Sequence, residues 1–134
     1  MKIYCCGCGS DTEARLTNGG EIYPHRNDLS HLPFWKCDFC DNYVGCHHKT
    51  KDRIKPLGNI PTKELRYARK KIHELFDPIW KGSKNRGGCM NRKMAYKSLS
   101  LSLGYEYHTA EIKTIEEARK VYLTVRDIRE SLNY

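Results

Sequence analysis

The sequence has no long apolar run. No stretch is long enough to span a bilayer, and no apolar segment near the start has the form of a signal peptide. The expectation is a cytoplasmic protein with no membrane partner. Hydrophobic residues are also sparse, at 39% of 134 positions, slightly below the usual globular share. That excludes a large core and leaves the N-terminal part in need of support, which a bound metal can supply. There is no internal repeat and no low-complexity tract. Nor is there an even number of cysteines: the chain has seven, which argues against a closed disulfide framework. In a reducing compartment, closely spaced cysteines are more often metal ligands.

Two cysteine pairs stand out. Cys5 and Cys8 flank Cys6-Gly7, and Cys37 and Cys40 flank Asp38-Phe39. A Cys-x-x-Cys turn lets two sulfurs face one ion, and Gly7 and Gly9 permit the tight backbone this needs. The 28 residues between the pairs suffice for the intervening strands. Cys6 competes with Cys5, but only Cys5 has the two-residue spacing to Cys8. Four protein thiolates leave no open position, so one structural Zn2+ bound by Cys5, Cys8, Cys37 and Cys40 is expected. A redox pair would need a βαβ setting, which is missing. Cys46, His47 and His48 form a weaker group. Neighbours on a strand face opposite ways, so Cys46 is expected inside and the histidines outside.

The elements follow from turn signals and periodicity. Lys2 to Tyr4 reads as a strand entering the first pair, with Glu13 to Leu16 returning. Asn18-Gly19-Gly20 reads as a turn and Glu21 to Tyr23 as a second short strand. Phe34 to Lys36 leads into the second pair, and Asn42 to His48 leads out. Pro56, Gly58 and Pro61 mark a connector. A helix starts at Thr62, carries Leu65, Ala68, Ile72, Leu75 and Phe76 on one stripe, and ends near Asp77-Pro78. Residues 81–88 read as a flexible basic loop, and a second helix spans about 90–103, closed by Gly104. Thr114 and Glu117 match a capping box before a stripe of Ala118, Val121, Tyr122, Val125, Ile128 and Leu132. The fold class is α+β: a four-cysteine zinc ribbon over residues 1–55, then about three helices in a basic region over 56–134. Whether these share one core is open at this point.

Charge is unevenly spread. The formal net charge is +8, and residues 61–103 hold 11 Lys/Arg against 3 Asp/Glu. Such a segment attracts phosphate backbones, although a solvated helix face has the same composition. Arg66, Arg69, Lys70, Arg86 and Arg92 are the expected phosphate contacts, with Lys84 beside them. Of the aromatic residues on the ribbon, Trp35 and Tyr23 are candidates for stacking on bases, against the plainer reading that they build its core. His73 and Asp77 are four apart on a helix and can share a face. With His47 and His108 they form a candidate polar cluster, either a packing network or an acid/base site. No catalytic signature accompanies them, so an enzyme is the less favoured reading.

The order of motifs resembles a known family. Cys5-x-x-Cys8 is followed by Ile22-Tyr23-Pro24-His25-Arg26-Asn27-Asp28-Leu29, then Phe34-Trp35-x-Cys37-x-x-Cys40 and Tyr43-Val44-Gly45-Cys46-His47. Leu65-Arg66-x-x-Arg69-x-x-x-His73, Phe76-Asp77-Pro78-Ile79-Trp80, Ala95-Tyr96 and His108 complete the set. Across residues 3–108 this resembles small zinc-finger proteins of phages, prophages and plasmids, a family with no established reaction. The resemblance implies a zinc finger and, for a phage product, action in the host cytoplasm. Three functions are expected in descending order. The first is nucleic-acid binding through the basic helices, DNA or RNA being unresolved. The second is an interaction module that inhibits or redirects a host protein. The third is a nucleic-acid-processing enzyme using the His/Asp cluster.

Overall fold

The computed structural model describes residues 1–82 and 86–134. The chain divides into two compact units, Met1–Glu64 and Leu65–Tyr134. The expected basic contact at Lys84 lies outside the described residues.

The first unit is built on two small sheets. Strands β1 (Lys2–Cys5) and β2 (Ser10–Glu13) form an antiparallel hairpin. Strands β3 (Arg15–Asn18), β4 (Pro33–Lys36) and β5 (Tyr43–Gly45) form a second antiparallel sheet in that order. The return from the first cysteine pair therefore starts at Ser10, earlier than expected. Glu13 closes β2, and Arg15–Asn18 belongs to the other sheet.

The expected strand at Glu21 to Tyr23 does not form. A four-residue helix, α1 (Gly19–Ile22), takes its place. Asn18 caps it, its side chain accepting from the N–H groups of Gly20 and Glu21. A Cβ at Gly19 would lie 1.8 Å from the Leu29 carbonyl oxygen, so only glycine lets the chain pass this closely.

The core of this unit is small. It comprises Ile3, Ala14, Trp35, Val44 and Ile60 together with Cys5, Cys37 and Cys46. The segment at Ile60 lies along β1: its N–H donates to the Tyr4 carbonyl, and its carbonyl accepts from Cys6 N–H, both at 2.8 Å. Trp35 is only 7% exposed, and its indole N–H donates to the Ile54 carbonyl at 2.7 Å. That removes it as a stacking platform. Tyr23 is half-buried, packs edge-on against Phe34 and Tyr43, and shares a hydroxyl hydrogen bond with Tyr43. Cys46 is buried as expected.

The second unit is helical. Helix α2 (Lys63–Phe76) buries Leu65, Ile72 and Phe76. A short helix α3 (Pro78–Lys81) follows, with Pro78 in its first turn. Helix α4 (Arg92–Leu103) is capped by Asn91, whose side chain accepts from Met94 N–H at 2.9 Å. It buries Ala95, Leu99 and Leu103 and ends at Gly104, which is left-handed with φ 85°. Helix α5 (Ile115–Ser131) begins at Thr114, whose hydroxyl accepts from Glu117 N–H at 3.1 Å. The Glu117 carboxylate reaches back to Lys113 N–H, also at 3.1 Å. Ala118, Val121 and Val125 face inward, whereas Tyr122 is 39% exposed. Among the described residues three longer helices, the single-turn helix α3 and a 3-10 turn at Thr109–Glu111 follow the cysteine-bearing sheets, and the molecule is of mixed α+β class.

Candidate metal centre

Each cysteine pair sits on a turn that the strands present. Cys5 ends β1, and Gly9 N–H closes the turn onto the Cys5 carbonyl at 2.9 Å. Cys37 follows β4, and its N–H donates to the Asn42 carbonyl at 2.8 Å, which draws the chain around Cys40. The four sulfurs of Cys5, Cys8, Cys37 and Cys40 lie within 4.8 Å of one another. Cys5 and Cys40 are 3.3 Å apart, Cys8 and Cys37 3.6 Å, and Cys8 and Cys40 3.9 Å. A tetrahedron with metal–sulfur bonds of about 2.3 Å has edges of about 3.8 Å. The observed spacings fit that figure. Among the described residues this is the sole cluster of three or more His, Cys, Asp or Glu ligand atoms.

The surroundings favour thiolates unequally. Burial pushes the Cys5 thiol up to about 12, although the Cys8 and Gly7 N–H groups oppose this. Hydrogen bonding to Cys37 and burial raise Cys8. At Cys37, burial also acts upward, but the Thr12 hydroxyl and the Cys40 and Phe39 N–H groups outweigh it and bring the thiol down to about 6. The Asn42 side-chain amide donates to Cys40 Sγ at 3.2 Å. Four thiolates this close repel one another, and only a cation at their centre allows all of them to ionise. The four cysteines are therefore positioned to hold a metal ion.

Charged residues brace the second turn from outside. Arg15 makes paired contacts with Asp38 at 2.9 Å and with Glu21 at 2.8–2.9 Å. Lys36 Nζ lies 3.3 Å from both Glu21 and Asp41. Asp38 lies between the two cysteines of the pair, so this network ties the turn to β3 and α1. Periodicity and spacing gave no sign of it.

Cys6 stands apart from the sulfur cluster, with Sγ 3.5 Å from Asn59 Oδ1. His48 Nδ1 lies 3.3 Å from the Cys46 carbonyl, and His47 N–H donates to the Lys55 carbonyl. Phe39, between Cys37 and Cys40, is 88% exposed.

The other sequence candidates are divided among different roles. His73 Nδ1 and Asp77 Oδ1 meet at 3.2 Å. His108 faces Glu106 at 3.3 Å instead of that pair, and His47 belongs to the first unit. Arg69 is buried, and its guanidinium donates to the Ile112 carbonyl. It joins α2 to the segment before α5, which removes it from the surface. Arg86 donates to the Asn133 carbonyl at 2.6 Å and covers the Tyr134 ring at 4.3 Å. Arg66 is half-buried, while Lys70 and Arg92 are exposed. Lys93 and Lys97, beside Arg92 on α4, are exposed too.

Among the described residues no helix is long and apolar enough to cross a membrane. Comparison with curated proteins and with solved structures gave no match. A family model described as a zinc-finger-containing domain matches residues 1–130, nearly the whole chain and all four clustered cysteines. The chain belongs to this zinc-finger-containing domain family.

Proposed function

We propose that the four cysteines hold one structural zinc ion and that the helical unit binds nucleic acid. The donor set supports zinc: four thiolates suit its tetrahedral preference and leave no position for a reacting water. Cys5, Cys8, Cys37 and Cys40 would hold the ion, which would fix the two turns and the sheets that carry them. An origin in phages, prophages or plasmids is part of this proposal and rests on the sequence resemblance.

One observation carries the nucleic-acid reading. Lys70, Arg92, Lys93 and Lys97 are exposed, and among the described residues no ion pair engages them. A cation already paired with a carboxylate gains little on meeting a phosphate, whereas an unpaired one releases counterions from it and gains affinity. Fluorescence anisotropy with labelled DNA and RNA across a salt series tests the reading. Affinity should fall steeply with salt, and Arg92→Glu or Lys97→Glu should each reduce the log–log slope by about 1. Absence of binding to both nucleic acids at low salt would sink the reading.

A protein partner is the second reading, favoured by Phe39. An aromatic ring this exposed, on a turn that also carries Asp38 and Asp41, suits a protein surface better than a phosphate backbone. Capture of a host protein that survives nuclease treatment and is lost in Phe39→Ala would support it.

A further inference from the structure

A groove of about 1020 Å³ runs along α4 and the segment 104–108. It is as large as the largest small-ligand pockets, about 1,000 Å³, and open along its length. We infer that it receives the unpaired bases of a single-stranded nucleic acid, an inference that rests on the nucleic-acid reading above and gives it a place.

The two walls differ in chemistry. Arg92, Lys93 and Lys97 line the α4 side, and the two lysines are four apart, so they share a face. Arg92 is held in place by aromatic rings, its guanidinium lying 5.1 Å from the Tyr96 ring and 5.5 Å from Trp80. The floor is Tyr96, half-buried. It stacks against buried Tyr107 at 27° and packs edge-on against Phe76 at 4.9 Å. Ser100 Oγ accepts the Tyr107 N–H at 3.0 Å, which fixes the opposite segment to α4. Tyr105, 40% exposed, stands on the far wall beside Glu106.

Aromatic faces next to cations are what a single strand needs, because its bases expose their own faces for stacking. A duplex hides those faces and cannot bring them to Tyr105, whose ring also has Lys120 Nζ at 5.7 Å from its centre. Glu106 sets the orientation. Its carboxylate, which His108 Nε2 approaches at 3.3 Å on the same wall, repels phosphate, so the backbone follows the cationic α4 wall and the bases point toward residues 105–108. There a carboxylate can accept from a base N–H, such as N3–H of thymine or uracil.

The experiment uses the zinc-loaded full chain and anisotropy with a short oligothymidine, an oligouridine and a duplex of equal length. A single strand, of either sugar, should bind at least about tenfold more tightly than the duplex. Tyr105→Ala should weaken single-strand binding about fivefold or more, with the salt slope unchanged, and Tyr105→Phe should restore it. Leu101→Glu, at a 75% exposed groove position, changes the groove without touching the core and should weaken the same strand. Equal binding of duplex and single strand, with both groove variants silent, would overturn the groove and leave nucleic-acid binding standing. No binding of any strand would overturn both. Binding of an acidic tyrosine-containing peptide in place of the oligonucleotides would do the same.

Discussion

Cys5 and Cys6 are neighbours, yet only Cys5 joins the sulfur cluster. Ile3 and Cys5 point into the core because strand side chains alternate. Cys6 leaves the strand on the other side, toward Asn59. Cys37→Ser should therefore abolish zinc binding, and Cys6→Ala should retain it in full. Binding of structural zinc is worth about 10–16 kcal/mol in finger peptides, comparable with the total stability of a small domain. The Cys37 variant should thus lack a cooperative transition for the first unit, while the Cys6 variant shifts stability by about 1 kcal/mol or less. Zinc release measured with a chromogenic chelator, beside thermal unfolding, reads both. Arg15 offers a second test. Arg15 holds the Glu21 carboxyl down at about 2, with help from Thr17, and depresses Asp38 as well. A depressed carboxyl stabilises above its unfolded value of 4.5 and loses that contribution as pH falls toward 2. At neutral pH the contribution is complete. Arg15→Ala should lower the melting temperature there, and the gap from wild type should narrow in high salt because the pairs are exposed. The clustering of the four cysteines was legible in the sequence because turn geometry is local. The Arg15 network was not, since its members are brought together only by pairing of β3 with β4.

Helices were easier to read than strands, for a physical reason. A stripe such as Leu65, Ile72 and Phe76 repeats over many residues, and caps mark its ends. The strands are three or four residues long, too short for alternation to declare itself. Gly19 shows the limit most clearly. Asn-Gly-Gly signals a turn, but capping by Asn18 and the close approach of Leu29 convert it to a helical turn. Tyr122 marks another limit: it falls near the apolar stripe of α5, yet the amphipathic tyrosine stays at the surface. The caps can be tested within single elements. Thr114→Ala removes the acceptor for Glu117 N–H and should cost about 1 kcal/mol. Leu99→Ala empties a fully buried position on α4 and should cost about 2–5 kcal/mol. Urea unfolding followed by helical ellipticity distinguishes the two by magnitude.

At the scale of the whole molecule, the candidate metal site and the positive charge are separated along the chain. The first unit holds the four cysteines, while the segment richest in Lys and Arg lies after residue 60. The two units also differ in what they bury. The first has a core of five apolar side chains and three cysteines, little enough that a bound metal would add substantially to it. The second buries Leu65, Ile72, Phe76, Ile79, Leu99, Ile112, Val121 and Val125, each at 1% exposure or less. A core of that kind is held by the hydrophobic effect and needs no ion. Removal of zinc by a strong chelator is therefore expected to melt the sheets and retain most of the helical ellipticity. Tryptophan emission provides the local readout: Trp35 lies in the sheet core and should become solvated, whereas Trp80 lies in the helical unit and should change little. Variants with a single tryptophan, Trp35→Phe and Trp80→Phe, separate the two signals. Loss of ellipticity in step with Trp35 exposure would show instead that the helical core depends on the metal-bearing unit. If the units respond separately, the proposed nucleic-acid binding should persist in the chelated protein with its salt dependence unchanged, because every cation proposed for it lies in the helical unit.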